Sequence, residues 1–241
     1  MTLLDDSFGS IVNAVMWGRS LYKNLQRFLF FQLTVNVAAL LLVLGGAVIG
    51  TELPLTVTQI LWVNLIMDTF AAMALASLPP TKDVMDDKPR QQSDFIINHS
   101  MVRGIMGIGV AMFAVMFIYL IHCFNTGRGM QTHELSMFFT AFVMLQFWNL
   151  FNAKALGTDH SAFRGLCHDK VLTGILVVVF VGQWVIVTFG GKMFRTVPLS
   201  LLDWVYVVAA TSLVLWAGEI WRLVARLITK KRSLGRLMWY S

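Results

Sequence analysis

Apolar side chains in this sequence come in long runs separated by short polar connectors, at about 28–49, 57–78, 101–122, 136–156, 171–190 and 201–221. Each run is dominated by Leu, Val, Ile, Phe, Ala and Met, and none alternates polar with apolar positions as a barrel strand does. A helix rising 1.5 Å per residue needs about 20 apolar residues to cross a hydrocarbon core of about 30 Å. Within that core the backbone must satisfy its own hydrogen bonds, so each run is expected to be one continuous helix. The predicted fold class is all-α: a polytopic membrane protein with six transmembrane helices. The first run is not read as a signal peptide, because residues 1–27, with Asp5, Asp6, Arg19, Lys23 and Arg27, precede it.

Composition agrees with the pattern. Of 241 residues, 57% are hydrophobic and only 13% charged, about half the share of a soluble domain. The 19 basic and 13 acidic side chains are too few for a polar shell, which excludes a soluble enzyme, a secreted scaffold and a disordered tail. The placement of the charges is more informative than their number. All 19 basic residues except Arg128, Lys192 and Arg195 fall in 1–27, 79–103, 154–170 and 222–241, the connectors on one side of a six-helix chain. By the positive-inside rule both termini are expected to be cytoplasmic. The net charge of +6 then reflects topology and anionic lipid headgroups, and no nucleic-acid partner is expected. Cys123 and Cys167 are assigned to opposite sides of the membrane, so neither a bridge nor a zinc site is expected.

Polar groups at hydrocarbon depth carry the chemistry, because each is costly there. Only Asp68 among the acidic residues lies near the middle of a run; Asp203 and Glu219 lie near the ends of the last. Asn64 precedes Asp68 by four residues, which puts both on one face of a continuous helix. A carboxylate with an amide carbonyl suits a hard cation such as Ca²⁺ or Mg²⁺, though two ligands leave a shell of 6–8 oxygens incomplete. On the residues alone Asn64 serves equally well as an interhelical hydrogen-bonding group. Gln32 and Asn36 in the first run, Gln146, Asn149 and Asn152 in the fourth, and Gln183 in the fifth are read as packing amides. Gly45, Gly46, Gly50, Gly104, Gly107 and Gly109 are expected to permit close helix approach. No catalytic signature completes itself: His133-Glu134 is followed by Met137 where a zinc-protease motif needs histidine, and Gly191-Lys192 lacks the upstream glycine of a phosphate loop.

Several segments resemble a known family. Asp5-Asp6-Ser7-Phe8-Gly9-Ser10-Ile11-Val12, Gly18-Arg19, Leu33-Thr34-Val35-Asn36-Val37, and Trp62 to Thr69 followed by Pro79-Pro80-Thr81 occur in the order found in P-type Ca²⁺-ATPases. The run Asn64-Leu65-Ile66-Met67-Asp68-Thr69-Phe70 resembles the plasma-membrane, calmodulin-regulated branch. The resemblance implies the C-terminal six-helix half of an ATP-driven Ca²⁺ efflux pump, integral to the plasma membrane. It implies that residues 1–27 hold the last strand of the phosphorylation domain and the cytoplasmic stalk, 28–228 the transmembrane domain and 229–241 a short basic tail. By position, Asn64 and Asp68 match cation ligands, and Asn36 matches an asparagine that serves a second site in the two-site reticulum pumps. Asp68 is expected to neutralise the cation and to take up a proton when it leaves, with Asn64 a neutral oxygen ligand. Where the two-site pumps carry a glutamate and a threonine this chain has Ala39 and Met67, which implies one Ca²⁺ per cycle.

The family's DKTG phosphorylation motif, nucleotide-binding domain and TGE loop do not occur in these residues. ATP and Mg²⁺ would therefore act only through an N-terminal catalytic half, a partner if separately encoded, and the chain alone is not expected to hydrolyse ATP. The connector around Pro79 to Asn98 resembles the loop that docks on the phosphorylation domain. The stretch Arg222 to Ser241, with Trp221 and Trp239 beside its basic residues, reads as a juxtamembrane lipid-binding segment rather than a calmodulin target. Two other readings fit the residues: a freestanding cation channel or secondary transporter, and a non-transporting chain that only binds membrane components.

Overall fold

The computed structural model describes residues 7–50, 55–80, 82–86, 95–125, 130–158, 161–163 and 169–237. Among them there is no strand. The elements run α1 (Phe8–Ile49), α2 (Val57–Trp62), a π-helical turn (Val63–Met67), α3 (Asp68–Ala76), a 3₁₀ turn (Lys82–Met85), α4 (His99–Asn125), α5 (Thr132–Lys154), α6 (Lys170–Phe189), α7 (Gly191–Phe194) and α8 (Leu201–Leu237). Six helices are long and apolar enough to cross a membrane, the second being Val57–Ala76 taken through its π turn.

Local chemistry sets the ends. Gly50 closes α1 in the left-handed region (φ 76°), its N–H returning to the carbonyls of Gly46 and Ala47. Thr56 and Gln59 form a reciprocal capping box that starts α2. Ser200 starts α8, its hydroxyl accepting from the Asp203 N–H while Asp203 accepts from the Ser200 backbone and hydroxyl.

Three predicted spans shift by a few residues, and three depart in kind. No break separates the expected stalk from the first span: α1 is a single helix of 42 residues, about 63 Å long at 1.5 Å per residue. The strand implied before it would have to precede Phe8; residues 1–6 lie outside the described residues. The second span is not one α-helix but two joined by the π turn. The last helix continues past residue 221 to Leu237, because Arg, Lys and Leu are good helix formers outside the membrane as well as in it. Cys167, Lys88 and Trp239 lie outside the described residues.

The least apolar of the spans is the most enclosed. In α5, 67% of the most apolar stretch is buried, against 28–33% in the other five. Ser136, Thr140, Gln146, Asn149 and Asn152 are all buried on it, shielded from lipid by α1, α4, α6 and α8. The exposed surface is instead apolar, as on α6 with Val177, Val178 and Val181, which is the arrangement a bilayer selects. α1 packs most extensively on α4 and α5 on α8. At the first contact Gly109 is needed, since a Cβ there would lie 2.9 Å from Val37 Cγ1 and 3.2 Å from the Thr34 carbonyl oxygen. Gly45 and Gly104 likewise seat the rings of Phe117 and Phe30, whereas Gly107 meets nothing within 4 Å.

Candidate cation site

Two helices carry the predicted site residues, and one hydrogen bond joins those helices at Asp68. α1 carries Gln32 and Asn36 one turn apart, and it packs against α3, whose first residue is Asp68. The Gln32 side chain crosses the gap: Nε2 donates to Asp68 Oδ2 at 2.9 Å. Asp68 Oδ1 and Gln32 Oε1 are both buried and without a hydrogen-bond partner. Thr34 is also buried, but its hydroxyl donates to the Phe30 carbonyl in its own helix and so offers nothing to a site.

Asn64 departs from the expected arrangement. It lies within the π turn, where the chain takes about one more residue per turn than an α-helix. Asn64 is exposed while Asp68 is half-buried, and no hydrogen bond joins them. Asn36 is exposed as well. Among the described residues neither amide side chain makes a hydrogen bond, and no three His, Cys, Asp or Glu side chains gather as a metal cluster. What the described contacts offer a hard cation is one carboxylate at mid-span bonded to one amide, that of Gln32.

The other polar residues divide by partner. Gln59, buried on α2, has both ends satisfied: Oε1 accepts from Thr56 N and Nε2 donates to the Phe194 carbonyl at 2.7 Å. Gln183 accepts from Trp62 Nε1 at 3.3 Å. Asn152 donates to the Val214 carbonyl and accepts from Arg222, which also pairs with Glu219 at 3.0 Å. Glu219 in turn accepts from Ser161 Oγ and the Ala162 N–H, so this carboxylate secures the α5–α6 connection to α8. Asp203 pairs with His133 at 3.1 Å, on the helix start it caps. Gln146 and Asn149 are fully buried with no partner for either amide.

The connector after α3 is tied to α1. Arg19 Nη1 donates to the carbonyls of Val84 and Met85, Asn24 to that of Leu78 at 3.0 Å, and Gln26 to that of Ile96 at 2.7 Å. The N-terminal part of α1 and the segment leading out of α3 are therefore bonded directly to each other.

Sequence reasoning overlooked two features here. The Gln32–Asp68 bond had a signal, the recurrence of amides at positions 32 and 36. The π turn had none, since Val63–Met67 contains no glycine or proline.

The comparisons with known proteins agree with this architecture. Residues 52–224 match the family described as cation transporting ATPase, C-terminus. The chain is 40% identical to plasma membrane calcium-transporting ATPase 2 of Oreochromis mossambicus, over 86% of this chain and 19% of that protein. It is 34% identical to plasma membrane calcium-transporting ATPase mca-1 of Caenorhabditis elegans, over 97% of the chain and 20% of that protein. Against plasma membrane calcium-transporting ATPase 3 of Homo sapiens the identity is 40%, over 85% of the chain and 18% of that protein. The chain thus spans about a fifth of the length of these relatives. With its six apolar helices and the match through residues 52–224, the chain belongs to the cation-transporting ATPase C-terminal family.

Proposed function

We propose that this chain is the cation-binding membrane portion of an ATP-driven Ca²⁺ pump of the plasma membrane, carrying one Ca²⁺ per cycle. The observation that carries the reading is Asp68: a half-buried carboxylate inside a membrane-spanning helix, with Oδ1 unpartnered and exposed amides nearby. Such a group is costly in hydrocarbon without a counter-charge, and a divalent cation supplies one. Asp68 neutralises part of the ion's charge, and Asn64 and Asn36 add neutral oxygens.

Exposure of Asn36 and Asn64 supports a further part of the proposal. Amides without partners do not face lipid, so this side of the bundle packs against other membrane helices of the pump, which complete the oxygen shell. ATP and Mg²⁺ act in the catalytic portion, and the cytoplasmic part of α1 with its bound connector transmits the motion. Residues 1–27 then belong to the phosphorylation domain and stalk, 28–228 to the membrane domain and 229–241 to a basic tail at lipid headgroups. Both termini face the cytoplasm, in keeping with the basic connectors.

The test is Asp68→Asn in the complete pump, read as ATP-driven uptake of radiolabelled Ca²⁺ into inside-out vesicles. The isosteric amide removes the charge and keeps the shape, so uptake is expected to fall to background. Uptake at the wild-type level would remove Asp68 from the mechanism.

A further inference from the structure

Gln32 stands apart from the other amides of the bundle. Gln59 and Asn152, which secure packing, have both ends occupied. Gln32 spends its N–H on a carboxylate and leaves its oxygen buried and unpartnered. With Asp68 ionised, as a cation ligand must be, the orientation of the amide follows from the bond itself, since the reverse would set two oxygens 2.9 Å apart. Gln146 and Asn149 also lack partners and Gln183 leaves its Nε2 without one, but none of the three is hydrogen-bonded to a charged group.

The atoms left over are the informative ones. Nε2 and Oε1 share one carbon of Gln32, and Oδ1 and Oδ2 share one carbon of Asp68. Joining Nε2 to Oδ2 therefore holds the two unpartnered oxygens, Oε1 and Oδ1, on one hydrogen-bonded pair. Each is costly to bury unsatisfied, and oxygens are what a hard cation requires. The bond also restricts the rotation of the carboxylate, so that Oδ1 is the oxygen left to coordinate.

Resting on the reading of Asp68 as the cation-neutralising ligand, we propose that Gln32 is a further residue of the cation site. Its N–H positions the Asp68 carboxylate and its carbonyl oxygen is an additional neutral ligand. The site thus extends from α3 onto α1 one turn before Asn36, and closing it on the cation couples the two helices directly.

The experiment compares four forms of the complete pump in the vesicle assay, with uptake normalised to the amount of protein. Wild type should transport and Asp68→Asn should not; if either fails, the reading of Asp68 fails and not the assignment of Gln32 alone. With those two in hand, Gln32→Met removes the amide at similar volume. It should raise the Ca²⁺ concentration for half-maximal uptake by about tenfold or more while the maximal rate is retained. An unchanged half-saturation, or a lower maximal rate alone, assigns Gln32 to packing and overturns the proposal. Should Gln32→Met not accumulate, the double variant Gln32→Glu with Asp68→Asn decides. It moves the carboxylate across the same bond, so uptake above that of Asp68→Asn alone supports the proposal and background uptake overturns it.

Discussion

Asn152 shows how much one side chain secures in this bundle. It donates to the Val214 carbonyl at 3.1 Å, accepts from Arg222 at 3.2 Å, and lies against α8 where Gly218 has no side chain. A Cβ at position 218 would fall 2.2 Å from Asn152 Oδ1 and 2.9 Å from its Cγ. Because both ends of the amide are bonded, Asn152 cannot swing away without exposing the Arg222–Glu219 pair beneath it. Gly218→Ala is expected to destabilise the protein by about 1–3 kcal/mol, the range for inserting a methyl group into a packed interior. Gly174→Ala, where a Cβ meets nothing within 4 Å, is the matched control and should leave stability unchanged or slightly raised. Thermal unfolding in detergent micelles distinguishes the two, and equal melting temperatures for both variants would contradict this account of the contact.

At the scale of elements, the π turn marks a change of anchor along the second span. It separates α2, which Gln59 and Trp62 hold to the α6–α7 region, from α3, which Gln32 holds to α1. Removing one residue from Val63–Met67, Leu65 for instance, lets the span continue as an α-helix. Five π-helical residues and the four α-helical ones that replace them both advance by about 400°, so everything after the deletion keeps its face relative to α2. Asp68 then keeps Gln32, and Ca²⁺ uptake by the complete pump should be retained. Removing Ile66 as well turns α3 by about 100° relative to α2 and should abolish uptake with helix content by circular dichroism unchanged. Uptake lost in the single deletion, or retained in the double one, would contradict this account of the turn. The six spans were legible in the sequence because burial in lipid demands a long apolar run, and that demand leaves little room for ambiguity. Asp68 was legible for the opposite reason, a charge where the run excludes charges. The π turn was missed, because a period of 3.6 was assumed through a segment whose five residues are compatible with either winding. The pairing of Gln32 with Asp68 depends on how α1 and α3 cross, which no local pattern encodes.

For the whole molecule, the distribution of basic residues makes a prediction about sidedness. Lys192 on α7 and Asp86 after the 3₁₀ turn are both exposed, and the proposed topology puts them on opposite faces of the membrane. In a background with Cys123 and Cys167 replaced by serine, a membrane-impermeant maleimide should label Lys192→Cys on intact cells. Asp86→Cys should react only after permeabilisation. Labelling of Asp86→Cys on intact cells would invert the proposed orientation. The same distribution explains why so much apolar surface is outward: the exterior is solvated by lipid chains, and the polar residues that water would have attracted are gathered inside, on α5.

That inward gathering bears on how the protein is made. α5 is the helix least suited to partition into lipid by itself, with Gln146, Asn149 and Asn152 along its length, and its most extensive neighbour, α8, is the last helix of the chain. During synthesis α5 leaves the ribosome while the helix that bonds Asn152 is still untranslated. Until α8 arrives, that amide is open to the insertion machinery, to chaperones and to membrane proteases that recognise polar groups in hydrocarbon. Maturation of the membrane portion is in this sense decided at its C-terminal end, where a fault in α8 would expose the polar side of a helix completed nearly fifty residues earlier.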